Sequence, residues 1–202
     1  MDWHYTEQGK GGWTGWTWNR DLFPNPKEFL GYLKQNDVKI TLNLHPADGV
    51  ASYEEKYSGL AKDMGVDPQS KQTIPWINSD KKFIKNMFKN VLTPMEKDGV
   101  DFWWLDWQQR IYDPKVKNLS NTWWINYAFF SNMEKNRDTR PMLYHRWGGL
   151  GNHRYQVGFS GDAVVSWKSL DFQPYFNSTA SNVLYGYWSH DLGGHIGESI
   201  DP

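Results

Sequence analysis

One segment constrains the fold more than any other. Val100-Asp101-Phe102-Trp103-Trp104-Leu105 is a short, nearly continuous apolar run set off by Gly99, and it ends on Asp106-Trp107. A run of this kind reads as a strand buried on both faces, the pattern of a parallel sheet covered by helices. The carboxylate at its end sits against an aromatic wall. It costs solvation free energy there unless it is hydrogen-bonded or used.

The rest of the chain repeats that alternation. Asn25-Pro26 reads as a helix cap and first helical position, followed by Phe29, Leu30 and Leu33. Val38 to Leu44 alternates as a strand and stops at His45-Pro46. Asp80 caps a long helix with an apolar stripe from Phe83 to Met95; Pro94 predicts a kink or an end in its last turn, and Gly99 stops it. Asn121 to Met133 reads as a helix with Trp123, Trp124, Tyr127 and Phe130 inward, and Pro141 to His145 as a strand. Ala163–Trp167 and Val183–Trp188 read as later strands. Strands alternating with helices predict βα units, an α/β fold with a parallel sheet.

In such folds the polar residues after the strands face a common mouth. That rule selects Asp2, His45, Asp106, Arg146, Asp162 and Asp191. Taken alone, Asp106 could cap the next loop, Asp162 could be a turn residue beside Gly161, and Arg146 could pair with a surface acid.

Other chemistries fail on composition or spacing. The 202 residues carry 22 Lys+Arg against 23 Asp+Glu, a net charge of −1, which gives no electrostatic reason to expect nucleic acid or an anionic membrane. Cysteine is absent, so disulfides, thiolate metal sites and a cysteine nucleophile are excluded. No apolar run approaches the roughly 20 residues of a membrane helix, and Met1-Asp2-Trp3-His4 does not open a signal peptide. Gly158-Phe159-Ser160-Gly161 misses the nucleophile-elbow spacing, and no His-Glu-x-x-His pair exists. No cofactor and no metal is expected. His190 and His195 around Asp191 read as groups that hydrogen-bond a substrate or the backbone.

The aromatic content is the outlier, with 13 Trp, 11 Tyr and 10 Phe. Sugars present flat C–H faces and rings of hydroxyls, which aromatic plates, carboxylates and arginine recognise together. Trp3, Trp103, Trp104, Trp107, Trp147 and Trp188 lie beside the strand-end polar residues, which favours a carbohydrate site. Trp123, Trp124 and Phe129 read as core.

In its order of motifs the chain resembles glycoside hydrolase family 31, the α-glucosidase and α-xylosidase family. The matching runs are Met1-Asp2-Trp3-His4, Leu42 to Gly49, Asp101 to Gln108, Arg146 through Ser160-Gly161-Asp162, and His190-Asp191-Leu192-Gly193-Gly194. The resemblance implies a (β/α)8 TIM-barrel fold, incomplete here at about six of eight strands, the second to the seventh. Residues 1–202 would be one partial catalytic barrel domain beginning inside the family's Asp-x-Asp motif. It implies retaining hydrolysis of α-linked glucosides or related sugars, with Asp106 as nucleophile and Asp162 as general acid/base. Asp2, Trp104, Arg146 and Asp191 would bind or line the sugar subsite. Acid work requires Asp162 to hold its proton more tightly than Asp106. The partners implied are an oligosaccharide or other α-glycoside and the remaining barrel segments or domains of a longer enzyme. Trp107-Gln108-Gln109 replaces the Met-Asn-Glu common after the nucleophile, and His195 stands where Phe is common, which leaves the substrate open. The rival readings are another α-glycosidase of the same clan, such as an α-galactosidase, and a non-catalytic sugar-binding or inactive fragment.

Overall fold

Among the described residues five strands, all pairing in parallel, lie in one sheet in chain order: β1 (Thr41–Leu44), β2 (Phe102–Leu105), β3 (Leu143–Arg146), β4 (Gln156–Phe159) and β5 (Trp188–Ser189). This computed structural model describes residues 13–106, 112–146 and 149–197. Parallel neighbours need crossover connections, and most of those here carry helices. α1 (Pro26–Gln35) precedes β1; α2 (Tyr57–Met64), α3 (Lys81–Met87) and α4 (Thr93–Asp98) separate β1 from β2. α5 (Asn121–Asn136) leads into β3, and α6 (Trp167–Ser181) lies between β4 and β5.

The local signals act as their chemistry dictates. Asn25 and Asp80 accept hydrogen bonds from the first-turn N–H groups of α1 and α3, which no helical carbonyl could satisfy. Pro94 has no N–H to give to the ladder, and the helix passes through a π-helical segment at Phe88–Leu92 just before it. Gly99, at φ 133°, ends the run; a Cβ there would meet the Leu30 Cβ at 3.0 Å.

Alternation sorts the strand residues. Leu42, Leu44, Trp103, Leu105 and Leu143 join Leu30, Leu60, Phe83, Met87, Val91, Ile125, Phe129 and Met133 in the core between sheet and helices. The other face carries Asn43, Trp104, Tyr144 and Phe159, and there the Trp104, Tyr144 and Phe159 rings pack with centroids 4.8–5.5 Å apart.

Three expectations need correction. On α5 the buried stripe is Ile125, Phe129 and Met133, while Tyr127 is exposed and Trp123, Trp124 and Phe130 are half-buried. Two periodic stripes compete on that helix, and the aliphatic one faces the sheet. Ala163–Trp167 is no strand: Val164 makes one bridge to Ile196, and Trp167 opens α6 behind its cap Ser166. The Val183–Trp188 strand begins only at Trp188. β4 has no strand signature in the sequence, because Gly158 interrupts its pattern, and Gln156 at its start has φ 70°. Gly158 is required there, since a Cβ would lie 2.0 Å from the Tyr185 hydroxyl. No described helix is long and apolar enough to cross a membrane.

Candidate active site

The polar groups converge at the C-terminal end of the sheet. Asp106 follows β2, and its backbone N–H donates to the Leu44 carbonyl over 2.9 Å, continuing the β1–β2 ladder by one bond. Its carboxylate is buried and gripped from both neighbouring strands. From β3, Arg146 Nε donates to Oδ1. From β1, Asn43 Nδ2 donates to Oδ2 over 3.4 Å, and His45 Nε2 lies 3.4 Å from the same oxygen.

Arg146 is itself buried, and its guanidinium lies 5.3 Å from the centroid of the Phe159 ring. Its Nη2 donates to Asp162 Oδ1 over 2.8 Å. Nε and Nη2 form the side-on edge of the guanidinium, whose near-parallel N–H groups ordinarily take both oxygens of one carboxylate. Here that edge is divided between Asp106 and Asp162. Asp162 reaches it because Gly161, at φ 71°, turns the chain sharply after β4.

Asp191 follows β5 and pairs with His195, Nδ1 to Oδ2 at 3.2 Å; His195 Nε2 lies 4.0 Å from Asp162 Oδ1. Trp104 lies on the aromatic face described above, and its indole N–H is buried without a hydrogen-bond partner among the described residues. The same is true of the Ser160 hydroxyl and His190 Nε2. Burial lowers the pKa of His190 and raises that of Tyr144. Asp2 falls outside the described residues. Of the sequence-derived set, Asp106, Arg146 and Asp162 are therefore directly joined. Asp191 is linked to Asp162 through His195, and Trp104 lines the sheet face beneath them.

From the sequence His45 reads as a strand-end residue with no assigned role, and Asn43 stands unmarked. Asn43 lies two residues before His45 on an alternating strand, and that period of two was the available signal. His45 is held by the segment before α1. Its ring stacks on Trp13 (centroids 4.4 Å, 16° between planes), its Nδ1 lies 2.8 Å from the Trp13 carbonyl, and its backbone N–H donates to the Thr14 carbonyl. Thr14 and Thr17 donate their hydroxyls to Glu54, at 2.7 and 2.5 Å. Glu54 is 4 % exposed, and burial pushes its carboxyl above 4.5 against those two hydrogen bonds. No cluster of three or more metal-ligating side chains occurs among the described residues. The arrangement can present one fixed carboxylate, a second carboxylate beside it, and a cation shared between them.

Comparison with known proteins finds a family match over nearly the whole chain. Residues 1–201 match the profile of the glycosyl hydrolases family 31 TIM-barrel domain. An α-xylosidase from Saccharolobus solfataricus is 23% identical over 217 aligned positions, covering 96% of this chain and 28% of that protein. An α-xylosidase structure from Xanthomonas citri superposes with a TM-score of 0.63 at 17% identity, covering 96% of this chain and 24% of that one. An uncharacterized Listeria monocytogenes protein, in complex with α- and β-D-glucose, magnesium and calcium, gives 0.67 at 16% identity over 92% of this chain and 22% of its own. At these identities the structural likeness carries the fold alone. The chain spans about a quarter of the length of these relatives.

Proposed function

This chain belongs to glycosyl hydrolase family 31, and from that premise we propose that residues 1–202 form the partial barrel domain carrying the two catalytic carboxylates of a retaining α-glycoside hydrolase. Asp106 attacks the anomeric carbon and the glycosidic C–O bond breaks, its electron pair leaving with the departing oxygen. Asp162 protonates that oxygen. Asp162 then takes a proton from water, which opens the glycosyl ester and restores Asp106 with net retention. Arg146 orients both carboxylates, Asp2 and Asp191 take sugar hydroxyls, and Trp104 lines the subsite. The substrates proposed are α-xylosides, from the named activity of two relatives, and α-glucosides, as the family resemblance implies. The remaining barrel segments of a longer enzyme are the proposed partner.

The observation that carries this reading is the divided guanidinium edge of Arg146. Two near-parallel N–H groups keep their acceptors close together. That favours the carboxyl separation of about 5–5.5 Å of retaining enzymes over the wider gap that leaves room for a water.

The test is release from a panel of aryl α-xylosides, α-glucosides and α-galactosides. Asp106→Ala is expected to abolish turnover of every substrate. Asp162→Ala is expected to cost about 10²–10⁴-fold on poor leaving groups and much less on activated aryl groups, which need no proton. Preference for the galactoside would favour the α-galactosidase reading. Sugar binding with hydrolysis unchanged by Asp106→Ala would mark a binding fragment.

A further inference from the structure

His45 holds its ring between two oxygens. Its two ring nitrogens face different groups, and both groups can only accept a hydrogen bond. Nδ1 lies 2.8 Å from the Trp13 carbonyl, and Nε2 lies 3.4 Å from Asp106 Oδ2. A neutral imidazole has one N–H and would turn a lone pair toward one of these oxygens. An imidazolium satisfies both. The ring also lies flat on the Trp13 indole, whose negative π face favours a cation above it.

Among the described residues, the other charged or polar groups around this pair come from β1, from β3 and from the turn after β4. Asn43 of β1 donates to the same Asp106 oxygen, Arg146 of β3 takes the opposite one, and Asp162 holds the far end of Arg146. Arg146 is thus shared between two carboxylates, and one guanidinium cannot offset both. The side chain of His45 is only 11% exposed and that of Asp106 9%, so the imidazolium and carboxylate compensate each other with little help from water.

We infer that His45 is a positioning residue for Asp106: it stands as an imidazolium and, with Asn43, fixes the carboxylate oxygen that does not attack. The oxygen on the Arg146 side then forms the bond to the anomeric carbon. The His45-bound oxygen becomes the carbonyl of the ester and still accepts the Nε2–H of His45. This use of the pair rests on the reading of Asp106 as nucleophile; the protonation state of His45 does not.

Long-range 1H–15N spectra of the 202-residue protein, with His45 assigned through His45→Gln, read the proton count directly. At about pH 6, close to the ordinary histidine midpoint, wild type is expected to show both ring nitrogens protonated. Asp106→Asn, which removes the charge and keeps the shape, is expected to leave one N–H. A wild-type ring with a single N–H, unchanged by Asp106→Asn, would overturn the inference. Mass analysis after an activated 5-fluoro glycosyl fluoride separates the two claims. An ester on Asp106 in a protein whose unlabelled His45 carries a single N–H would overturn this inference alone. A charge-coupled His45 with the label on another residue would overturn the assignment of Asp106 and, with it, the positioning role.

Discussion

His145 and Arg146 are neighbours in β3, yet they face opposite sides of the sheet and opposite electrostatic problems. Arg146 brings a permanent charge into the site, where two carboxylates meet it. His145, wholly buried on the helix side, contacts the Arg146 carbonyl through Nδ1 at 2.7 Å, and its Nε2 has no partner among the described residues. Charging that ring would place an unpaired N–H in the interior, so burial lowers its pKa from 6.5 to about 4. Between these values the unfolded chain binds the extra proton and the folded chain does not. Stability should therefore be fully present above pH 6.5 and fall as pH drops toward 4. The loss is about 3 kcal/mol at most. Urea titrations across that range check it: His145→Gln should flatten this part of the profile, whatever its effect on absolute stability.

At the scale of elements, the site depends on how the segment before α1 is fastened to the loop after β1. Glu54 makes that fastening through Thr14 and Thr17, and Thr14 in turn holds the backbone of His45. Its raised carboxyl has the opposite pH signature to His145. A carboxyl that holds its proton more tightly when folded contributes stability fully below 4.5, and that contribution is lost as pH rises through the raised value. Glu54→Gln should remove this loss. Glu54→Ala, which leaves two buried hydroxyls without their acceptor, should cost about 2–3 kcal/mol in denaturant unfolding.

The same scale explains what was legible in the sequence. Asn25 and Asp80 announce their helices because a cap acts on N–H groups two or three residues away. Asp106 and Arg146 were legible because strand ends in parallel sheets share one mouth. β4 was not, because Gly158 is dictated by Tyr185, a residue far along the chain. Nor was the buried stripe of α5, where aromatic and aliphatic periodicities differ only in which one meets the sheet. His45 was visible as a position, but its meaning needed Trp13 and Asp106, brought together by the fold.

Over the whole molecule, a chain with net charge −1 gathers two carboxylates, a guanidinium and an imidazole at one end of a five-stranded sheet. The aromatic excess divides between two jobs. Trp16, Trp103, Phe83 and Phe129 fill the core, whereas Trp104, Tyr144 and Phe159 form a plate beneath the charged groups. Trp167, Leu170 and Leu192 are exposed on the α6 and β5 side, where the remaining parts of a complete barrel are proposed to pack. The proposed nucleophile of this constellation is Asp106, and intact-mass and peptide analysis after an activated 5-fluoro glycosyl fluoride reads it out. One sugar ester is expected, on the peptide containing Asp106 and absent from Asp106→Asn. Turnover with inversion at the anomeric carbon, or an ester on a different carboxylate, would contradict it.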